Sequence, residues 1–164
     1  MSVATDPDRP PFPAAILFDL DGLLVDSEPV WHRAERDLAT SLGTDWPDSE
    51  ARACIGVGLR GTCERLMARA GLQADVTVLV DGLITRFLAR TAEIMPKPGA
   101  LRIVTAAVQR RVPIAVATSS PERVATRVLA STGLLPHFGA LAFGDEVAAL
   151  KPSPAVYLLS LIHI

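Results

Sequence analysis

Residues 14–26 read AAILFDLDGLLVD, and this stretch decides the fold. Its apolar part, residues 14–18, lies between prolines and acids, which is typical of a strand buried on both faces of a sheet. Asp19 and Asp21 follow where that strand should end, and side chains two residues apart there point roughly the same way. Two carboxylates on one spot repel each other unless a cation or a proton lies between them. Gly22 then allows the chain to turn sharply.

The composition describes a protein that can bury a core. Of the 164 residues, 49% are hydrophobic and 21% are charged, which is not the composition of a disordered chain. The net charge of −2 gives no basic surplus, so a nucleic-acid partner is not expected. No stretch approaches the length of a membrane span, and the polar, proline-rich start is unlike a signal peptide. With only Cys54 and Cys63, neither at metal-ligand spacing, we expect a cytoplasmic protein.

The segment after the acidic pair reads as helical. Ser27 and Pro29 are typical of a helix start, with Ser27 as the cap. Further apolar patterns predict helices over residues 62–70 and about 75–90. A G-x-G-x-x-G spacing at residues 56–61 matches the dinucleotide fingerprint. No buried strand precedes it, so we interpret it as a loop and helix entrance.

An alternation of helices and strands follows the helical segment. The MPKPG at residues 95–99 predicts a hinge, and the next helix carries Leu101, Val104 and Val108 on one face. Buried strands are predicted at residues 113–117 and 140–143, with a helix opening at Pro121 between them. The fold class is therefore α/β, a Rossmann-like parallel sheet with three strands present and an inserted α-helical cap. Residues 1–26 and 96–164 form the predicted core, and residues 27–95 form the predicted cap.

The strand ends carry residues that suit phosphoryl transfer. In parallel sheets ligands collect at the carboxyl ends of the strands, where Asp19, Asp21 and Thr118 are predicted. One carboxylate can attack phosphorus and the other can donate and accept a proton. A divalent cation would bring the anionic groups together, and hard oxygen ligands suit Mg²⁺. Lys151, in the turn LKPSP, could neutralise the remaining charge, although a lysine before a proline is more often a surface residue.

Three separated motifs resemble the haloacid dehalogenase superfamily of phosphohydrolases. They are FDLDG from residue 18, ATSSP from residue 117, and GDEV from residue 144 with KPSP from residue 151. The resemblance implies Asp19 as nucleophile and magnesium ligand, and Asp21 as acid and base with its backbone carbonyl on the metal. It also implies Thr118 and Ser119 as phosphate-binding residues, and Lys151 as a residue that contacts both the phosphate and the nucleophile. The helical segment falls where the superfamily carries its α-helical cap.

Within the superfamily the chain looks most like sugar-phosphate phosphatases. DGLLVDSEP, Trp31 and the Gly-Leu-Arg ending at Arg60 resemble the 2-deoxyglucose-6-phosphate and hexitol phosphatases, and beta-phosphoglucomutase has the same cap. The resemblance implies Arg60 and Glu28 as substrate residues of the cap, whereas Arg60 could equally be a solvated helix-start residue and Trp31 a packing residue. We expect a monomer that acts on a small phosphate ester.

The C-terminal part departs from the superfamily pattern. A further strand that ends in two acids is expected after KPxP, whereas this chain ends in YLLSLIHI, and Ala155 stands where Asp is frequent. On this basis we expect a C-terminally truncated and impaired phosphatase, with residues 14–18 at an exposed sheet edge. Two alternatives stay open: a sugar phosphomutase with the same aspartyl phosphate, and a non-catalytic module that binds phosphate or a cation. A dehalogenase needs no acid at Asp21 and is disfavoured.

Overall fold

The protein has a three-stranded parallel sheet at its centre. The computed structural model describes residues 13–164, so the proline-rich start of the predicted core lies outside the described residues. The strands are β1 (Ile16–Phe18), β2 (Ile114–Ala117) and β3 (Ala140–Ala142), in the spatial order β1-β2-β3. All four residues of β2 are buried, whereas Ile16 and Leu17 of the edge strand β1 are half-buried. The predicted α/β class with a parallel sheet and an inserted helical cap is confirmed.

Four helices are inserted between β1 and the rest of the sheet. They are α1 (Glu28–Ser41), α2 (Asp48–Ala53), α3 (Gly58–Ala70) and α4 (Val76–Leu88). Helix α4 packs against both α1 and α3, and Trp31 stacks on Phe87 with their ring centroids 3.7 Å apart. Trp31 is thus a packing residue in this structure.

Three further helices flank the sheet. They are α5 (Ala100–Gln109), α6 (Glu122–Ser131) and α7 (Ala155–Ile162). On α5, Val104 is fully buried, but Leu101 and Val108 of the same predicted face are 51% and 43% exposed. Among residues 13–164 no helix is both long and apolar enough to cross a membrane.

One helix was not predicted, and the start of another differs from the sequence prediction. Helix α2 was not predicted because it buries only Ala51 and therefore has no apolar periodicity; its acids in the first turn and Arg52 in the last suit the helix dipole. Helix α3 begins at Gly58 rather than Thr62. A Cβ atom at Gly61 would lie 2.4 Å from Val57 Cγ1, so the missing side chain lets the first turn close. The G-x-G-x-x-G spacing is confirmed as a loop and helix entrance.

The helical insert buries one carboxyl group. Glu35 of α1 is 6% exposed, and its Oε2 accepts a hydrogen bond from Trp46 Nε1 at 3.0 Å. Desolvation by burial raises the pKa of Glu35 from 4.5 to about 7, while the Trp46 hydrogen bond and the Arg36 charge act in the opposite direction. Glu35 is therefore neutral in the folded protein at a pH where it is ionised in the unfolded chain.

We predict that Glu35 makes the protein less stable as the pH rises. Between pH 4.5 and about 7 the folded state binds more protons at Glu35 than the unfolded state, so the free energy of unfolding falls with pH across this window. The Glu35→Gln variant should lose this pH dependence. At pH 8 its free energy of unfolding should exceed that of the wild type by up to about 3 kcal/mol, at about 1.36 kcal/mol per pKa unit. Urea unfolding of the wild-type protein and of Glu35→Gln at pH 5 and pH 8 measures the free energy of unfolding. Equal pH dependence of the two proteins would contradict the prediction.

Candidate active site

The turn after β1 presents Asp19 and Asp21 at the carboxyl end of the sheet. Gly22, with φ +75°, turns the chain, and its N–H donates to Val25 O at 3.0 Å. Leu20, between the two acids, is fully buried. Because the chain alternates here, the buried Leu20 anchors the turn while both half-buried carboxylates face the strand ends.

Lys151 holds the carboxylate of Asp19. Its Nζ lies 2.7 Å from Asp19 Oδ1 and donates to Ala117 O, also at 2.7 Å. The ammonium also lies 4.7 Å from the centre of the Tyr157 ring. Oδ1 of Asp19 accepts a second hydrogen bond, from Leu20 N at 2.8 Å. Lys151 thus joins the ends of β1 and β2, although it follows β3 in the chain.

Two serine hydroxyls hold the carboxylate of Asp21. Ser27 Oγ donates to Asp21 Oδ1 at 2.5 Å, and Ser120 Oγ donates to Asp21 Oδ2 at 2.6 Å. Ser27 occupies the N-cap position of α1, but its side chain makes no capping hydrogen bond. The predicted capping role of the Ser27 side chain is therefore wrong, because its hydroxyl proton is used on Asp21 instead.

The loop after β2 lies against the loop after β3. Thr118 is 1% exposed, and its Oγ1 accepts a hydrogen bond from Ser120 N at 3.0 Å. Ser119 Oγ accepts from Lys151 N at 3.4 Å. Gly144 approaches so closely that a Cβ atom on it would lie 2.1 Å from Ser119 O. Gly144 must therefore lack a side chain for the two loops to meet.

The start of α6 is already capped within the protein. The carboxylate of Asp145 accepts from Glu122 N at 3.0 and 3.2 Å. An acid at this position suits the positive end of the helix dipole. The N–H groups of Glu122 and Ser120 are thus engaged, and the side chains of Thr118, Ser119 and Lys151 lie beside them as donors that an anion could use.

The two predicted cap residues lie in different surroundings. Glu28 Oε1 is 3.6 Å from the position that a Cβ on Gly22 would take, so its carboxylate lies next to the Asp21 turn. Arg60 instead pairs with Glu64 at 3.0 Å and lines a surface groove of the cap together with Asp75. The structure brings six of the seven predicted site residues to the strand ends: Asp19, Asp21, Glu28, Thr118, Ser119 and Lys151.

The insert and the core are joined on both sides of the turn. Asp26 N donates to Met95 O at 2.9 Å, and Lys97 N donates to Leu24 O at 2.8 Å, so the two connecting segments pair. At a second place, an ion pair between Asp81 and Arg123 connects helix α4 of the insert to helix α6 of the core. Leu150, just before Lys151, reaches the cap loop, with its Cδ1 3.8 Å from the position of a Cβ on Gly58. The insert therefore lies over the strand ends.

The carboxylates fit Mg²⁺ in the kind of donor they offer. Mg²⁺ in proteins is held by one or two carboxylates, keeps several waters and binds substrate phosphate. Asp19 supplies one such carboxylate, and the backbone carbonyl of Asp21 is the second oxygen that the resemblance implies. Within residues 13–164 no group of three or more His, Cys, Asp and Glu side chains could hold a metal ion. The described part of the chain therefore offers oxygen atoms of a suitable kind without a cluster of three such side chains.

Sequence reasoning did not assign Ser120, Ser27 or Asp145 to the site. Ser120 stands two residues after Thr118 in the ATSSP motif, which was the available signal. Its partner Asp21 lies 99 residues away in the chain, so the contact depends on the β1–β2 pairing. Ser27 has the sequence pattern of a helix cap, so its hydroxyl was assigned to capping and its contact with Asp21 was not predicted.

Known proteins resemble this chain over most of its length. A family model described as haloacid dehalogenase-like hydrolase matches residues 13–162. The phosphorylated carbohydrates phosphatase of Thermotoga maritima is 30% identical over 148 residues, which are 90% of this chain and 68% of the relative. Hexitol phosphatase B of Escherichia coli K12 is 33% identical over 147 residues, which are 88% and 66% of the two chains.

A solved structure shares the arrangement of the elements. It is CbbY from Rhodobacter sphaeroides in complex with phosphate, with a TM-score of 0.81 and 27% identity over 92% of this chain and 72% of that one. The chain spans about two thirds of the length of the curated relatives it matches.

Proposed function

The chain belongs to the haloacid dehalogenase-like hydrolases, and we propose that it is a Mg²⁺-dependent phosphatase of a small sugar phosphate. The reaction would pass through an aspartyl phosphate on Asp19. The observation that carries the proposal is the contact of 2.7 Å between Lys151 Nζ and Asp19 Oδ1 at the carboxyl end of β1, with Asp21 two residues further on. A carboxylate beside a fixed cation can approach an anionic phosphate that would otherwise repel it.

Each residue at the strand ends has a role in this proposal. Asp19 attacks phosphorus, and Asp21 donates a proton to the leaving oxygen and later accepts one from water. Lys151, Thr118 and Ser119 bind the phosphate oxygens. Thr118 Oγ1 accepts a hydrogen bond from Ser120 N, which leaves its own proton to donate.

Asp19 and Asp21 would also hold the metal. Bound there, Mg²⁺ would neutralise charge on the phosphate and on the nucleophile. Because Asp19 would be the one side-chain carboxylate on the metal and residues 13–164 hold no cluster of three such groups, we propose that the ion binds weakly until the substrate phosphate adds its own oxygens. Assays should therefore use magnesium and protein at high concentration.

The cap residues are proposed to select the sugar. Glu28 lies next to the Asp21 turn, where its carboxylate can accept hydrogen bonds from sugar hydroxyls. Arg60 would have to exchange Glu64 for the substrate, which is feasible because this exposed pair is worth little. A hexose or hexitol 6-phosphate is the proposed substrate type, in line with the hexitol phosphatase and carbohydrate phosphatase among the relatives.

The proposed setting is a monomer in the cytoplasm. Cys54 and Cys63 are both free and buried in the structure. Free thiols in a protein of this kind agree with a reducing compartment.

The test is the release of phosphate from sorbitol 6-phosphate and glucose 6-phosphate by the purified chain. We expect slow release with Mg²⁺, in keeping with the impaired activity expected from the sequence and with weak metal binding, and its loss on adding EDTA. Isomerised sugar phosphate without free phosphate would favour the mutase. A non-catalytic module would release no phosphate, and beryllium fluoride, which mimics a phosphoryl group on an aspartate, would not bind at Asp19.

A further inference from the structure

Ser120 is bonded to Asp21, although it lies in the loop where phosphate would bind. We propose that Ser120 is a positioning residue that holds Asp21 in place to protonate the leaving group, and that it is not a phosphate ligand. This inference rests on the proposed function.

The hydroxyl proton of Ser120 is committed to Asp21. Ser120 Oγ donates to Asp21 Oδ2 at 2.6 Å, and a hydroxyl has only one proton to donate. The backbone around it is fixed on both sides, because Ser120 N donates to Thr118 Oγ1 and Ser120 O accepts from Gly144 N, each at 3.0 Å. The Ser120 side chain therefore extends from a loop whose backbone is fixed, and its hydroxyl contacts the carboxylate of Asp21.

The carboxylate of Asp21 is held at both oxygens from two different parts of the chain. Ser27 belongs to the start of α1, and Ser120 belongs to the end of β2. Two hydrogen bonds to two oxygens fix both the position of the carboxyl group and its rotation about the Cβ–Cγ bond. Each carboxylate oxygen keeps a second lone pair, on which a proton can be carried.

This placement matters in the step that breaks the ester. An oxygen of Asp19 forms a bond to phosphorus as the bond from phosphorus to the ester oxygen breaks, and the electron pair stays on that oxygen. The proton of Asp21 moves to the same oxygen, so an alcohol leaves and Asp21 becomes a carboxylate. Water later attacks phosphorus, gives a proton to Asp21, and the bond to Asp19 breaks to release phosphate.

The dependence on the leaving group separates positioning from phosphate binding. A sugar alkoxide is a poor leaving group and needs the proton, whereas p-nitrophenolate leaves without it. Both esters carry the same phosphate group, so a lost phosphate contact would slow both. The quantity to compare is kcat/KM, because it covers the steps up to phosphoryl transfer and leaves out the hydrolysis of the aspartyl phosphate.

The experiment compares Ser120→Ala with wild type on sorbitol 6-phosphate and p-nitrophenyl phosphate. We expect kcat/KM for the sugar ester to fall about tenfold, a part of the usual effect of general acid catalysis, and that for p-nitrophenyl phosphate to stay within about twofold. Ser120→Thr, which keeps the hydroxyl, should restore most of the loss. Ser119→Ala, at a proposed phosphate ligand, should lower both values together.

Several outcomes would overturn the inference. Equal losses on both esters would make Ser120 a phosphate ligand or a folding residue, and no loss on either would leave it without a role. Ser131→Ala, at an exposed position of α6, is the control for a serine lost elsewhere. If the wild-type chain turns over neither ester, the proposed function itself fails and this inference falls with it, which the wild-type assay alone reveals.

Discussion

Replacing Asp19 by Asn is expected to reduce the Mg²⁺-dependent release of phosphate at least about a thousandfold, because loss of a nucleophile removes the covalent route. Asn has nearly the same shape, and its carbonyl oxygen can still accept hydrogen bonds from Lys151 and from the N–H of Leu20. The surroundings of the site should therefore persist while the attacking carboxylate is lost. Phosphate release from sorbitol 6-phosphate measures the change.

Asp48→Asn is the matched control for Asp19→Asn. Asp48 lies in α2, its side chain is 67% exposed, and it pairs with Arg36 of the cap. This variant should release phosphate at the wild-type rate, and both variants should keep the wild-type midpoint of urea unfolding. More than about a tenth of wild-type activity in Asp19→Asn would rule out Asp19 as the nucleophile, since nucleophile loss costs far more.

Gly144→Ala is expected to destabilise the protein by about 3 kcal/mol, the upper range for a group forced into a packed interior. A Cβ atom there would lie 2.1 Å from Ser119 O and 2.7 Å from Ser119 C, so the clash is with backbone. Backbone cannot rotate away as a flexible side chain can. The loop carrying Ser119 and Ser120 must move, and phosphate release should fall as well. Urea unfolding measures the stability.

Gly139→Ala makes the same chemical change just before β3. The nearest atom to a Cβ on Gly139 is Ile114 O, at 4.0 Å, which is an ordinary contact. This variant should stay within about 0.5 kcal/mol of wild type, as most surface substitutions do. If Gly144→Ala were as stable as Gly139→Ala, the close approach of the two loops would be disproved.

The local pattern of the chain predicted most of the framework. Short apolar runs before Asp19 and Thr118 predicted β1 and β2, because a buried parallel strand has to be apolar on both faces. Proline at Pro121 marked the entrance of α6, where the loss of an N–H costs nothing. Helix α2 was not predicted, because a six-residue helix that buries one alanine shows no periodic pattern of apolar residues.

The environment of Leu101 and Val108 on α5 could not be read from the sequence. Their spacing with Val104 predicts one apolar face, but of these three side chains only Val104 is buried by other residues of the structure. Periodicity says which residues share a face and does not say what covers that face. The edge position of β1, in contrast, was predicted from the sequence, and the strand order β1-β2-β3 confirms it.

The sequence by itself determined the parallel α/β framework, the helical insert, and the residues Asp19, Asp21, Thr118, Ser119 and Lys151 at the strand ends. The framework and the positions of Asp19, Asp21 and Thr118 follow from strand patterns, whereas Ser119 and Lys151 were assigned through the motifs that resemble the haloacid dehalogenase superfamily. Tertiary structure alone decided that Ser27 and Ser120 hold the two oxygens of Asp21. The physical reason is that a hydrogen bond depends on distances of about 3 Å, which sheet register and loop contacts set between segments far apart in the chain.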